Sequence, residues 1–476
     1  MAKLVWYRNN LRTLDCTPLL EACEGEEDVH ACFLLAPAQW KKHGWGPNRV
    51  EYTRRSVALL AERLAELNIP MHVFSSPIFD KAAQVISLLA VEIGCSEVHW
   101  SREYEVDELK RDAKTRNALE NVGIRAIEHD DEVVVPPDQV RTQADGPFRV
   151  FTPYKRKWMS FLEKRLAATN RARPRPRRRP HPILPEIPPV VDGFEDFVPL
   201  DDFPIGEVEA LHRLDHFLAQ RVSRYGEDRN TPSISGTSGL SPCLATGSIS
   251  PRTCVVAVHQ DAISEPDSGP ATWVSELAWR DFYRSVAFNF PEVCKGKPFK
   301  PETEKVKWRK DDATFNAWCR GRTGYPIVDA AMRALVETGW MHNRLRMITS
   351  QFLTKHLLID WRKGEAFFAR HLVDYDFASN NGGWQWSAST GTDAAPYFRV
   401  FNPTTQGRRF DAGGDFIRRY VPELAALEGK SIHEPAMLAP LLRGPIDYPD
   451  PVVEQSHGRN RAIAAFADAS GRSARN

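Results

Sequence analysis

Asn380 and Asn381 are followed by Gly382 and Gly383, then by Trp384 and Trp386, within the stretch FASNNGGWQWSASTGTDAAPYFRVFN from Phe377 to Asn402. Small residues let a flat ligand approach the backbone. Side chains two positions apart point to different neighbours on helix or strand. The same composition also suits a loop between core helices that buries its tryptophans. Trp273, Glu276, Trp279, Arg280 and Tyr283 recur at i, i+3, i+6, i+7 and i+10. On a helix that spacing puts Trp273, Glu276 and Arg280 on one face, with Trp279 and Tyr283 beside them. A packing stripe has no need of an acid, a cation and two indoles together. Thr237, Ser238, Gly239 and Leu240 lead into Ser241 and Pro242, which read as an N-cap and a first helical residue. Free N–H groups and hydroxyls there suit an anion, although an ordinary helix start reads the same way. Asp374 and Asp376 flank Tyr375. Only His371 stands close to them in sequence, and no metal is expected there.

The words around these residues decide between the readings. TSGLSPCLATGSISPR from Thr237, WVSELAWRDFYR from Trp273, GRTGYPIVDAAMRAL from Gly321, GWMHNRLRMITSQFLTKHLLIDWR from Gly339 and the Asn-Asn-Gly-Gly stretch resemble, in that order, the flavin-binding core of the photolyase/cryptochrome family. The likeness is strongest to the class I photolyases that repair cyclobutane pyrimidine dimers, and nearly all of the chain after about Gly226 takes part. The resemblance implies light-driven repair: excited, reduced anionic FAD passes an electron to a dimer flipped out of DNA, where impaired pairing makes extrusion cheap. It implies that Tyr225, Thr237, Ser238, Gly239, Leu240, Ser241, Trp273, Arg280, Asn343, Arg346, Asp374, Tyr375, Asp376 and Asn380 hold FAD. Arg346 would pair with Asp374, Asp376 would accept from the flavin ring, and Asn380 would face flavin N5. Glu276, Trp279, Met347 and Asn380 take the catalytic roles, with Glu276 on the base edge of the lesion and Trp279 stacked on it. Tyr283, Asn343, Arg344, Trp386 and Gln406 join Glu276 and Trp279 on DNA, with Trp386 and Met347 lining the lesion pocket. Trp308, Trp361 and Trp384 match a three-tryptophan electron path, with Trp384 beside the flavin and Trp308 at the surface. Gly239 departs from a position that is often basic, which leaves Arg280 as the main cation for the cofactor phosphates. Asn380, together with Glu276, Trp279 and Met347, favours repair over the alternative of a cryptochrome-type blue-light photoreceptor. The Asn-Arg-Leu-Arg-Met word differs from the histidine-bearing version of photolyases specific for (6-4) photoproducts, and no long tail follows the flavin words.

The elements that must position these residues divide the chain. Its 476 residues exceed one compact core. Lys3–Tyr7, His30–Leu35, Pro70–Phe74, Glu97–Trp100 and Glu132–Val135 read as strands, alternating with helical patterns such as Val50–Leu67 and Asp80–Ile93. That alternation predicts an N-terminal α/β domain with a doubly wound parallel sheet over residues 1–135. Residues 136–204 read as a linker; Arg171–Pro189 holds six Arg and seven Pro, a composition that forbids helix. A charge-rich spacer explains that run, and a basic arm on DNA phosphates is the other reading. From residue 205 to 476 the pattern is helical, over residues 208–222, Thr272–Phe288, Thr314–Arg320, Pro326–Thr338, His342–Leu358 and Glu365–Leu372. This predicts an all-α domain for FAD and DNA.

In the resembling family the α/β domain carries a light-harvesting antenna. His43 in AQWKKHGWGPNR and Glu108 in REYEVDE match contact positions for 5,10-methenyltetrahydrofolate. Asp107 replaces a more usual Asn and offers only acceptors, and Asn10 and Cys16 depart from the first-domain signature. A deazaflavin antenna, or none, stays open. Lys plus Arg is 63 and Asp plus Glu 62, a net +1 that argues against indiscriminate nucleic-acid binding; with DNA as partner, positive charge must be gathered on one face. Eight cysteines without a CxxC pair and no signal-peptide pattern suit a reducing cytoplasm. No apolar run approaches the ~20 residues of a membrane span. DNA containing pyrimidine dimers is the expected partner, and a monomer the expected state.

Overall fold

The first strand, Ala2–Tyr7, is buried at every position, the mark of a parallel strand covered on both faces. Its side chains alternate between two cores. Val5 and Tyr7 pack with Leu11, Phe33 and Trp40, and Leu4 and Trp6 pack with Ile86, Leu89 and Trp100. In this computed structural model, which describes residues 2–76, 78–162, 164, 174–177, 181–265, 267–438 and 446–471, five strands form one sheet. They are β1 (Ala2–Tyr7), β2 (Asp28–Leu35), β3 (Met71–Ser75), β4 (Cys95–Ser101) and β5 (Arg125–His129), in the order β3-β2-β1-β4-β5 and parallel throughout. The helices Pro47–Glu66, Ala82–Ile93 and Val106–Glu120 belong to the crossovers. The expected doubly wound α/β arrangement is therefore present.

One strand is not where its sequence suggests. Glu132–Val135 forms no strand, and the fifth strand is Arg125–His129. The amides of Val134 and Val135 donate instead to Asp281 Oδ2, at 2.9 and 3.0 Å, so their hydrogen bonds go to a helix carboxylate rather than to a sheet neighbour. The helical run expected from Asp80 begins as a 3-10 turn, Phe79–Lys81.

By contacts the described chain falls into two compact units. One comprises Met1–Gly226, Ser238–Pro291 and Val373–Asp376, and the other Glu227–Thr237, Glu292–Leu372 and Phe377–Asn476. Beyond its sheet the first unit carries the helices Gly206–Gln220, Ser241–Thr246, Pro251–Ser264 and Gly269–Asn289. Of the Arg/Pro-rich stretch, residues 171–173 and 178–180 lie outside the described residues. Arg177 is bound to the α/β layer: its amide donates to Leu67 O, and its guanidinium to Cys23 O at 3.0 Å.

The second unit is helical: Asp312–Cys319, Pro326–Thr338, Asn343–Gln351, Trp361–His371, Phe377–Ala388, Pro403–Phe410 and Gln455–Ala469. The run expected as one helix from His342 to Leu358 is two. His342 caps Asn343–Gln351 through Nδ1, and a π-helical turn follows over Phe352–His356. Within that turn Lys355 is fully buried and donates to Ala388 O and Ser389 Oγ at 3.2 and 2.8 Å. Among the described residues no helix is long and apolar enough to cross a membrane.

Candidate functional site

In the first unit the helix Gly269–Asn289 carries the mixed stripe. Ser268 caps it by accepting from Ala271 N at 3.2 Å. Trp273 packs on Phe217 with ring centroids 4.9 Å apart, and Tyr225 meets the same ring edge-on at 5.7 Å. Further along, Trp279 lies flat on Phe151, 3.7 Å between centroids and 11° between planes, with Tyr283 tilted against it at 5.4 Å. Glu276 and Trp279 remain half-buried. The structure thus brings Trp279 and Tyr283 together as one aromatic group and Trp273 and Tyr225 as another. Arg280 donates to Glu132 O at 2.7 Å and to Leu244 O at 3.1 Å. Burial lowers its pKa, opposed by nearby carboxylates.

The sequence reading missed Arg284, one turn beyond Arg280. It is buried and donates to Asp376 Oδ2 at 2.6 Å and to Glu132 Oε1 at 3.1 Å. Its i+4 spacing from Arg280 was the available signal. Asp374 and Tyr375 are buried, and Tyr375 Oη donates to His43 O at 3.1 Å.

At the turn before Ser241–Thr246 the expected cap is displaced by one residue. Leu240 is the N-cap, and Ser241 and Pro242 are the first two helical residues, with no side-chain cap bond. Ser238 Oγ accepts from Leu240 N at 3.4 Å. Gly239 has φ +67°, a left-handed conformation that favours glycine, and Arg213 Nη1 lies 3.2 Å from where its Cβ would be. A cation from Gly206–Gln220 therefore stands beside the position where the sequence lacks one.

The antenna candidates also meet within this unit. His43 Nε2 lies 3.3 Å from Asp107 and Nδ1 lies 3.4 Å from Glu108. Burial and then the charge of Glu103 push the Glu108 carboxyl up to about 8, and burial lowers His43. A second cluster had no sequence signal. His99 Nδ1 meets His129 Nε2 at 3.1 Å with the rings 9° apart, and Glu97 lies 3.0 Å from His99 and Glu21 3.6 Å from His129. Glu21, His99 and His129 are close enough to hold a metal. Two imidazoles facing at that distance in one plane fit a shared proton better than an ion about 2.0–2.1 Å from each nitrogen.

In the second unit the Asn-Asn-Gly-Gly stretch is helix, not loop: Phe377–Ala388. Bonds to the neighbouring helix Trp361–His371 and along its own length override the poor propensity of the sequence. Asn380 Nδ2 donates to Glu365 O at 3.2 Å, Asn381 Nδ2 to Glu365 Oε1 at 2.8 Å, and Gln385 Nε2 to Asn381 Oδ1 at 2.9 Å. Burial pushes the Glu365 carboxyl up to about 7, opposed chiefly by Asn381. Trp384 is 2% exposed, edge-on to Phe368 at 4.9 Å and to Trp318 at 6.1 Å. Its ring fills the space where a Cβ on Gly364 would stand.

Trp361 is buried beneath the guanidinium of Arg362. Trp308 is only half-buried, edge-on to Phe466 at 5.8 Å. Asn343 is exposed, while Met347 and Trp386 are half-buried. Arg344 donates to Asn230 Oδ1 at 2.6 Å and to Met347 Sδ at 3.7 Å, and lies over Phe410. Arg346 Nε donates to Met341 O at 2.8 Å. Gln406 Oε1 is buried without a hydrogen-bond partner among the described residues.

The family model described as the FAD binding domain of DNA photolyase matches residues 273–468, and that described as DNA photolyase matches residues 3–176. The deoxyribodipyrimidine photo-lyase of Escherichia coli (strain K12) is 40% identical over 466 residues, covering 97% of this chain and 98% of its own. Among solved structures, a bacterial class III photolyase from Agrobacterium tumefaciens has a TM-score of 0.86 at 34% identity, covering 99% of this chain and 98% of that one. A cryptochrome from Synechocystis sp. PCC6803 has a TM-score of 0.84 at 30% identity, covering 98% and 99%. With both halves matched by family models and a relative aligned along nearly its whole length, the chain belongs to the DNA photolyase family.

Proposed function

We propose that the protein is a deoxyribodipyrimidine photo-lyase that uses FAD and light to repair cyclobutane pyrimidine dimers in DNA. The observation that carries this reading is 40% identity to a relative of that name over almost the full length of both chains. The residues present suit a bound, anionic, aromatic cofactor. Arg49 is a buried guanidinium whose Nε and Nη1 find no partner among the described residues, and the buried indole N–H of Trp384 is in the same position. Tyr225, Thr237–Ser241, Trp273, Arg280, Asn343, Arg346, Asp374–Asp376 and Asn380 would hold FAD, with Arg213 adding a cation beside Gly239. When bound and reduced, FAD supplies the light-driven electron. That electron would open the dimer to two pyrimidines and then go back to the cofactor, with no net change of oxidation state. Trp279 stacks on the flipped lesion and Glu276 holds its base edge. Tyr283, Asn343, Arg344, Met347, Trp386 and Gln406 complete the lesion pocket and DNA contacts. Trp308, Trp361 and Trp384 carry electrons inward when the cofactor is oxidised.

In functional terms we divide the chain at 1–135, 136–204 and 205–476, with 5,10-methenyltetrahydrofolate as the antenna at His43 and Glu108 and a deazaflavin as the rival pigment. The eight free cysteines fit a reducing cytoplasm, and a monomer is the state we propose. The test is the absorption spectrum of purified protein followed by illumination with dimer-containing DNA. Bound FAD and light-dependent loss of dimers are expected. Folded protein that takes up no FAD would refute the reading.

A further inference from the structure

We propose that Arg284 is a positioning residue for the flavin, acting through Asp376 to set how strongly the protein prefers reduced over oxidised FAD; this rests on the FAD reading above. Arg284 is held by a fork. Its Nη2 donates to Asp376 Oδ2 at 2.6 Å and its Nη1 to Asp376 Oδ1 at 3.4 Å, while Nη2 also reaches Glu132 Oε1 at 3.1 Å. The Arg284 side chain is 2% exposed and that of Asp376 15%, so the cation stands behind the carboxylate on its buried side.

The anchoring of this pair is elaborate. Arg280, one helical turn earlier, grips the Glu132 carbonyl, and Asp281 takes the amides of Val134 and Val135. Arg280 and Asp281, in the turn before Arg284 on the same helix, therefore fix the segment whose Glu132 side chain holds the far side of the Arg284 fork. Stability alone does not explain such an arrangement, because a buried ion pair is commonly no better than apolar packing of the same volume. A forked guanidinium does fix the plane of a carboxylate and supplies its counter-charge. Asp376 is the carboxylate assigned to the flavin ring. An ionised carboxylate beside a ring that becomes anionic on reduction opposes that reduction. Arg284 offsets this charge while leaving the carboxylate in place as an acceptor.

The test uses the full-length protein and FAD itself, with reductive titration at equilibrium giving the ratio of affinities for reduced and oxidised cofactor. Arg284→Met should lower that ratio about tenfold, or about 30 mV in a two-electron couple. Arg284→Lys, which keeps the charge, should restore most of it. Asp376→Asn should raise the ratio, and the charge-balanced double variant Arg284→Met/Asp376→Asn should return toward wild type. A wild-type ratio in folded Arg284→Met overturns the inference. So does a double variant as low as Arg284→Met. If Arg284→Met does not fold, the Asp376→Asn and double variants decide: a fall or no change with Asp376→Asn overturns it. Wild-type protein that binds no FAD refutes the functional reading itself, and the two failures are thereby told apart.

Discussion

At the scale of single residues, recognition of the lesion is assigned to Trp279. Its ring already lies flat on Phe151 and leaves part of its surface open. Trp279→Ala removes one base–aromatic stack, worth about 1–3 kcal/mol, or roughly 5- to 150-fold in affinity. The loss should appear in binding of dimer-containing DNA and not of undamaged DNA, which rests on phosphates. Equal losses on both substrates in a binding titration would remove Trp279 from the lesion site. Gly364 poses a packing question instead. Any Cβ there meets the Trp384 ring, so Gly364→Ala should destabilise the fold by about 1–3 kcal/mol, read by denaturant unfolding. The motif residues were legible because their types are odd for a core. Arg284, Arg213 and Glu365 were not. Each is an ordinary charged residue in sequence; the i+4 spacing puts Arg284 on the face of Arg280, but the partners that give these residues a role lie elsewhere in the chain.

At the scale of elements, the alternation of strands and helices disclosed the α/β layer, and Pro326–Thr338 has the bounds its sequence predicts. The failures have local causes. Val134 and Val135 look like strand residues, but Asp281 takes their amides. Asn380–Gly383 looks like loop, but amide bonds to Glu365 make helix affordable. The tryptophan path is the element-level claim that matters most for function. Trp384 and Trp361 are buried, whereas Trp308 is half-open and packed on Phe466 from the helix Gln455–Ala469. Trp308→Phe keeps that packing and is much harder to oxidise. Photoreduction of oxidised enzyme by an external donor should fall sharply under blue light, while repair by chemically reduced enzyme persists. Unimpaired photoreduction would make Trp308 a surface ring only, and loss of both reactions would make it structural.

At the scale of the whole molecule, buried acids make stability depend on pH. The folded pKa of Glu365, about 7, lies above its value in the unfolded chain. The folded state therefore holds a proton that the unfolded state releases, and stability falls as pH rises from about 4.5 through 7. Glu365→Gln should abolish this part of the decline, raising stability above pH 7 by up to about 3 kcal/mol relative to wild type. Identical pH profiles for the two proteins in urea unfolding would contradict the assignment. Net charge adds a constraint on function: a chain at +1 cannot hold DNA by bulk attraction, so phosphate binding needs positive charge gathered on one face, and discrimination against undamaged DNA comes from contacts to the lesion. The most direct test follows from that. The chemically reduced, FAD-loaded protein is mixed with an oligonucleotide carrying a single cyclobutane pyrimidine dimer, and the dimers remaining are counted after equal times in near-ultraviolet light and in darkness. Conversion to intact pyrimidines in the light alone is predicted; a dimer count that light leaves unchanged, with FAD bound and the oligonucleotide engaged, would contradict the account.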